Sequence, residues 1–386
     1  MSAVLGLMGL KDEWPLCGVS ISYALDNLVS RMVVVDHGSD STTSHGLAAL
    51  QELYCDRLQV VRITSPSWRQ RSVYELGLLV LKPAPEDWIY IVDADEFLML
   101  PAGESLLDIL EAQSSDVISY RVENWLVPST MNLNNLDDYL EITTKSLPAN
   151  EHTVSYEQIT ELVELRANYF DFAFQPKVIN SFRAGQWYTE GAHFLRDEVT
   201  AQANPGAECT ALRAAHLPFA SQERLRLRVE RGLETIASGA VPDFAWQSQM
   251  VARIFELGAL EDFWKAHSSP ASESPGVSTE QSETFAGALR PTVEALKARF
   301  GSTLEIKSLS SVPHYAIEPT IATQIFERFV HLRRVASTIQ QGSDQEILRI
   351  TAEHRNELST LLNSRAWRIG RKIQLTAQFI RRLRPN

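Results

Sequence analysis

Residues 87–98, DWIYIVDADEFL, combine the pattern of a buried strand with a cluster of acidic side chains. Apolar and β-branched residues occupy positions 88–92, and three carboxylates follow within four positions, at Asp93, Asp95 and Glu96. Uncompensated charges at the end of a core strand cost free energy. We therefore expect a positively charged group to meet these carboxylates.

The first 120 residues alternate strand-like and helix-like segments. Short apolar runs typical of buried strands alternate with segments that have apolar residues at helical spacing; the runs are 3–10, 31–35, 58–63 and 88–92, and the helical segments are 16–28, 44–54 and 71–81. This alternation predicts a parallel sheet with helices on its faces. In such sheets ligands bind beyond the carboxyl ends of the strands.

Polar clusters follow three of these predicted strands, at 11–13 (Lys-Asp-Glu), 36–40 (Asp-His-Gly-Ser-Asp) and 93–96 (Asp-Ala-Asp-Glu). Each cluster alone is compatible with a simple turn, because Asp, Gly and Ser are turn residues. Together they favour a ligand site. In a turn after the strand, the last cluster can converge on a hard cation such as Mg²⁺ or Mn²⁺. The alternative is a helix start capped by Asp95 and Glu96.

Composition narrows the function classes. The 386 residues are 44% hydrophobic and 22% charged, which predicts a soluble globular protein with a sizeable core. The three cysteines form no CxxC pair, so we expect neither a zinc site nor a disulfide framework, but a reducing, cytosolic setting. The net charge of -12 argues against nucleic-acid binding. The sequence contains no apolar run of about 18 residues, so we expect no helix that spans a membrane.

The three polar clusters, taken with the strands that carry them, resemble the family 2 glycosyltransferases of the GT-A fold. The similarity is closest to the branch with an Asp-x-Asp-Glu-Phe motif and covers roughly residues 3–232. Its later marks are QPKVINSF at 175–182, GAHF at 191–194 and the segment 213–232. The resemblance implies an α/β fold of the GT-A type, a Rossmann-like mixed sheet flanked by helices, here with a C-terminal helical extension.

The activity implied by the resemblance is an inverting sugar transfer from a nucleotide-sugar donor, expected to be a UDP-sugar, to a hydroxyl of a glycan or lipid-linked acceptor. The implied cofactor is Mn²⁺ or Mg²⁺. Two alternatives stay open. One is a catalytically silent scaffold or binding protein that keeps the fold. The other is a nucleotidyltransferase, which is disfavoured because the first strand ends in Lys-Asp-Glu and not in a Gly-rich phosphate loop.

The family's nucleotide-binding residues transfer by position. By this resemblance Asp36 hydrogen-bonds the nucleotide base, and Asp12 and Glu13 line the nucleoside pocket. Asp93 lies near the ribose and the metal, and Asp95 is the direct metal ligand.

The match is incomplete at one position and open at another. Ser41 replaces the last Asp of the branch's Asp-x-Gly-Ser-x-Asp pattern. Gln70, with Arg69 or Arg71 beside it, sits where the family often places a group that reaches the diphosphate, and a guanidinium suits a phosphate. The alternative for these arginines is a solvated helix face.

The late histidines and a catalytic base complete the predicted site. His216 is expected to be a third metal ligand, with a hydrogen-bonded core histidine as the alternative, and His193 is a weaker candidate. Glu123, Asp171 and Glu190 are candidates for the base that deprotonates the acceptor, and Glu190 is preferred. For each of these three the alternative is a surface or salt-bridged carboxylate.

The predicted domain organisation places the glycosyltransferase domain at 1–235, with a nucleotide-binding half at 1–120 and an acceptor half at 121–235. A helical extension (236–265), a flexible linker rich in Ser, Pro and Glu (266–283) and a helical region (284–386) follow. The last stretch, 365–386, interleaves seven basic residues with apolar ones. It predicts a basic amphipathic helix that binds an anionic membrane surface or the protein's own acidic body. The expected location is the cytoplasm. If the basic helix binds a membrane, the protein would lie peripherally on the inner face of that membrane.

Overall fold

The computed structural model describes residues 2–65, 69–131, 133–151, 153–183, 185–197, 202–237, 246–268, 277–304 and 312–339. The chain divides into two compact units, 1–323 and 324–386. The part of the predicted helical region from 340 onward, including the predicted basic helix at 365–386, lies outside the described residues. Within the described ranges, no helix has both the length and the apolar character needed to cross a membrane.

The described part of the chain contains strands and helices in an alternating order through its first third. The strands are β1 (Val4–Leu10), β2 (Arg31–Asp36), β3 (Leu58–Arg62), β4 (Trp88–Ile91), β5 (Glu96–Met99), β6 (Val117–Asn124), β7 (Thr144–Ser146), β8 (Lys177–Ser181), β9 (Gln186–Tyr188), β10 (Leu195–Asp197), β11 (Ala203–Asn204), β12 (Ala207–His216) and β13 (Thr279–Gln281). The helices are α1 (Leu16–Asn27), α2 (Ser41–Tyr54), α3 (Gln70–Leu81), α4 (Leu106–Glu111), α5 (Tyr156–Val163), α6 (Gln222–Ala237), α7 (Trp246–Glu256), α8 (Leu260–Ser268), α9 (Thr284–Phe300) and α10 (Pro319–Ile339).

An eight-stranded mixed sheet organises the first unit, in the order β3-β2-β1-β4-β8-β6-β12-β5. The strands β3, β2, β1 and β4 are parallel, as expected. Beyond them β8 runs antiparallel to both β4 and β6, and β5 runs antiparallel to β12. The predicted architecture, a Rossmann-like mixed sheet flanked by helices and followed by C-terminal helices, is confirmed.

The parallel strands β1 to β4 are mainly apolar, as expected of strands that helices cover on both faces of the sheet. Leu7, Val34, Val60 and Ile89 are all fully buried. Gly77 of α3 allows the closest approach of a helix to β1, since a Cβ atom there would lie 2.0 Å from Cδ1 of Leu7. A side chain at position 77 would therefore push α3 away from β1.

A segment of the predicted acceptor half pairs with the predicted flexible linker. Within residues 133–151 the chain forms a 3₁₀ turn, Leu136–Glu141, and the strand β7. β7 pairs antiparallel with β13, which lies in the predicted linker at 266–283. Periodicity did not reveal these strands, because each has three residues and the pairing spans more than 130 positions of sequence.

In the predicted helical extension at 236–265, the residues described from 246 onward form two helices, α7 and α8. Gly258 between them has φ of +61°, in the left-handed region that glycine adopts without strain. The amide of Ala259 donates to the carbonyl of Ile254, which closes the end of α7. Apolar residues of α5, α6, α7 and α8 then form a second core around Phe219 and Phe263.

Candidate functional site

The carboxyl ends of the parallel strands bring the predicted polar clusters to one edge of the sheet. In the register of these strands, Leu10 lies beside Asp36, and Asp36 lies beside Arg62. The first two clusters also contact each other directly. The amide of Asp40 donates to Oδ1 of Asp12 over 2.6 Å, and the amide of Asp12 donates to Oγ of Ser39 over 2.9 Å.

Asp36, the predicted base-binding residue, is fully buried at the end of β2. Its Oδ1 accepts from the amide of Ser39 at 2.8 Å, and its Oδ2 pairs with Arg62 at 2.8 Å. Burial raises the pKa of Asp36, although both contacts oppose that shift. Asp36 therefore holds the turn between β2 and α2, and its contact with a nucleotide base stays a prediction.

Two predicted metal ligands, Asp95 and His216, form a buried cluster with Glu96 beyond β4, called here the acidic cluster. One ligand atom each from Asp95, Glu96 and His216 lie within 4.8 Å of one another. Pairing of β5 with β12 causes this, because it places His216 opposite Glu96. The amide of Leu217 also donates to the backbone oxygen of Asp95 over 2.8 Å. The late histidine and the acidic turn thus meet through the sheet.

His216 is held as a neutral imidazole. Its Nδ1 lies 2.8 Å from Oδ1 of Asn124 on β6, so that nitrogen carries the proton and Nε2 presents its lone pair. Nε2 lies 3.9 Å from Oδ2 of Asp95. Burial lowers the pKa of His216 to about 3 against the attraction of Asp95. At neutral pH this is the form that binds metals.

The donor set fits a divalent cation. Two carboxylates and one neutral imidazole are ligands that Mn²⁺ accepts, and Mg²⁺ also prefers carboxylate oxygen. The cluster contains Asp95 and His216 of the predicted metal ligands, with Glu96 in addition. The carboxylate of Asp93 instead contacts Lys177, whose Nζ also lies 2.6 Å from Oε1 of Glu96. Asp93 thus lies beside the acidic cluster and pairs with Lys177.

Two arginines of α6 reach the same cluster and had no role in the sequence analysis. Arg228 pairs with Oδ2 of Asp95 and donates to the carbonyl of Pro218 over 3.1 Å. Arg224 pairs with Glu13 and lies 3.9 Å from Oδ2 of Asp95. Burial favours a raised pKa for Asp95, but Arg228, with His216 and Arg224 behind it, outweighs burial and holds the pKa well below its usual range.

Gln70 and Arg71 lie at the start of α3, beside β9. Oε1 of Gln70 accepts from the amide of Gly191 at 2.9 Å. The guanidinium of Arg71 lies 3.4 Å from the ring centroid of Trp187, and its Nε lies 3.4 Å from Glu75. These contacts support the local fold, and a diphosphate contact by either residue stays a prediction.

The candidate bases and the second histidine lie in different surroundings. Glu190 begins a 3₁₀ turn, Glu190–Ala192, and its side chain lies outside what the structure describes. Glu123 pairs with Arg213 at 3.3 Å, as the salt-bridged alternative expected. Burial lowers the pKa of His193 to about 4, and its Nδ1 lies 3.0 Å from the carbonyl of Pro176. For Asp171, burial raises the pKa.

Comparisons with known proteins give distant structural similarity. No protein-family model matches the chain, and no curated protein sequence is similar to it. Among solved structures, the chain is similar to S. aureus TarS 1-349, with 13% identity, a TM-score of 0.32 and coverage of 77% of this chain and 83% of that one. For TarS 1-349 in complex with UDP, the identity is 13%, the TM-score is 0.31, and the match covers 80% of this chain and 95% of that one. For a longer TarS chain, the identity is 14%, the TM-score is 0.30, and the match covers 66% of this chain and 43% of that one.

Proposed function

We propose that this protein is a metal-dependent glycosyltransferase that moves a sugar from a nucleotide-sugar donor, preferably a UDP-sugar, to a hydroxyl of a glycan or lipid-linked acceptor with inversion. One observation carries the proposal. The cluster of Asp95, Glu96 and His216 is buried at the carboxyl edge of four parallel strands, where α/β sheets bind their ligands.

The chemistry of the donor set supports a cation at this cluster. Asp95 and His216 would hold Mn²⁺ or Mg²⁺, with Glu96 or water as a further ligand, and the bound ion would supply the positive charge that stabilises a leaving diphosphate. The hydrogen bond to Asn124 engages Nδ1 of His216, which leaves the lone pair of Nε2 for the cation. The second layer of contacts around a metal ligand commonly tunes its basicity in this way.

The remaining predicted residues take positions along the same edge. Asp12, Glu13 and Asp36, at the ends of β1 and β2, would line the nucleoside pocket, and Asp93 would lie nearer the ribose. A carboxylate, for which Glu190 is preferred, would take the proton of the acceptor hydroxyl as it attacks C1 of the sugar. Each of these roles follows from the family resemblance.

A second candidate is a catalytically silent protein that keeps the fold. The observation in its favour is that basic side chains already contact the acidic residues: Lys177 contacts Asp93 and Glu96, and Arg228 contacts Asp95. Such pairs satisfy the carboxylates without a metal.

A donor-hydrolysis screen separates the two candidates. UDP-, GDP- and CMP-sugars are incubated with the protein and Mn²⁺, and the released nucleotide is measured. We expect hydrolysis of one nucleotide class, its loss in Asp95→Ala, and its retention in Asp56→Ala, which removes an exposed acid between α2 and β3. Absence of hydrolysis with every donor, or hydrolysis unaffected by Asp95→Ala, would support the silent protein.

A further inference from the structure

We infer that Arg224 and Arg228 occupy the acidic cluster in the free protein and transfer to the diphosphate of the donor when a divalent cation binds Asp95. The inference rests on the proposed function and extends it, because it assigns the diphosphate contact to α6. It also makes cation and nucleotide binding mutually dependent.

Solvent exposure distinguishes Arg228 from Lys177. The side chain of Lys177 is 2% exposed and is fixed between Asp93 and Glu96. That of Arg228 is 37% exposed, and it extends to Asp95 from a helix outside the sheet. Rotation about its side-chain bonds can therefore carry the Arg228 guanidinium off Asp95, whereas Lys177 has no such path.

The arginine and a cation compete for one oxygen. Oδ2 of Asp95 contacts Arg228, and the same oxygen lies 3.9 Å from Nε2 of His216. A cation bound by Asp95 and His216 would lie within a few ångströms of the guanidinium, where like charges repel strongly. Arg228 must leave Asp95 for the cation to bind with full affinity.

The position of the two arginines suits a diphosphate. Arg224 pairs with Glu13 at the end of β1, on the nucleoside side, and Arg228 pairs with Asp95 after β4, on the metal side. Residues four apart on a helix lie on one face about 6 Å apart. Two adjacent guanidinium groups between nucleoside and metal match the place of a bridging diphosphate, and each can bind phosphate through two hydrogen bonds.

Arg226 provides a matched control on the same helix. It pairs with Glu223 at 2.5 Å and with Glu230, and all three side chains face solvent. Substitution of Arg226 therefore removes one positive charge from α6 without touching the acidic cluster.

Mn²⁺ binding is measured first without nucleotide, by electron paramagnetic resonance of the free ion, and UDP binding is then measured by calorimetry at saturating Mn²⁺. We expect Arg228→Gln to bind Mn²⁺ alone about tenfold more tightly and UDP about tenfold more weakly, each change equal to about 1.4 kcal/mol. Arg226→Gln should change neither affinity. A purely structural role of Arg228 would weaken both, so the opposite signs are the diagnostic result.

Arg228→Lys keeps the test decisive if the Gln variant unfolds. Lysine retains a competing positive charge but loses the two-pronged donor, so Mn²⁺ affinity should stay near that of the unsubstituted protein while UDP affinity falls. If these variants change neither affinity, or lower both, while the unsubstituted protein binds UDP with Mn²⁺, the inference is wrong and the proposed function stands. If the unsubstituted protein binds no UDP with Mn²⁺, both are wrong.

Discussion

Lys177 and Glu96 form an ion pair inside the molecule, with Nζ of Lys177 2.6 Å from Oε1 of Glu96. Lys177 begins β8 and also contacts Asp93, so β8 carries its charge into the acidic turn after β4. Burial opposes a charged lysine, but the two carboxylates outweigh burial and raise the pKa of Lys177. The sequence predicted a positive group beside the carboxylates of 93–96, and Lys177 is part of that group in the free protein.

Removal of that lysine should destabilise the fold. Lys177→Met would leave Asp93 and Glu96 facing each other without compensation, and loss of one partner of a buried pair costs about 3–5 kcal/mol. Urea denaturation measures the free energy of unfolding directly. Lys265→Met, which breaks an exposed pair with Glu261 on α8, should leave the midpoint unchanged. Equal midpoints for the two variants would contradict the structural role given to Lys177.

Asn124 should control the metal affinity of His216. Asn124→Leu removes the oxygen that fixes the proton on Nδ1, and loss of such a contact typically lowers metal affinity about 10–100-fold. Asn124→Asp retains an oxygen acceptor and should retain Mn²⁺ binding. Calorimetric titration of Mn²⁺ into both variants, with thermal unfolding as a check on folding, measures the effect. Unchanged affinity in Asn124→Leu would remove His216 from the metal site.

His267 should make stability depend on pH through the second core. Its ring stacks on Phe263 with centroids 4.1 Å apart, and burial lowers its pKa to about 4 from 6.5. The unfolded chain therefore takes up this proton first on acidification. The His267 contribution is complete above about pH 6.5 and is lost as the pH falls toward about 4, a change of about 3 kcal/mol.

His267→Phe isolates this contribution, because phenylalanine keeps an aromatic ring against Phe263 and cannot titrate. Urea denaturation at pH 7.5, 6 and 5 should show the unsubstituted protein losing stability relative to the variant as the pH falls. A constant difference between the two proteins across this range would show that His267 does not titrate as its burial predicts.

The parallel half of the fold could be predicted because its signals are local. Burial on both faces makes β1 to β4 mainly apolar, and helical spacing predicted α3 at 71–81 against the observed Gln70–Leu81. Parallel strands place their carboxyl ends together, so the shared edge of the three polar clusters followed from the same argument.

The basic partners of the site could not be predicted because their placement is non-local. Lys177 begins a strand of mixed polar and apolar residues, and it is buried because β8 inserts between β4 and β6. Arg224 and Arg228 belong to a helix whose charges are equally compatible with a solvated face. Glu96 joins the cluster because the chain turns after β4 and restarts as β5, and such a turn was expected from the sequence.

Titration of UDP into the protein by calorimetry, with and without Mn²⁺, tests the cation cluster most directly. The account predicts that Mn²⁺ strengthens UDP binding at least about tenfold, or about 1.4 kcal/mol, in the unsubstituted protein and in Asp56→Asn, and that Asp95→Asn abolishes this gain. Equal UDP affinity with and without the ion, or a gain that survives Asp95→Asn, would contradict it.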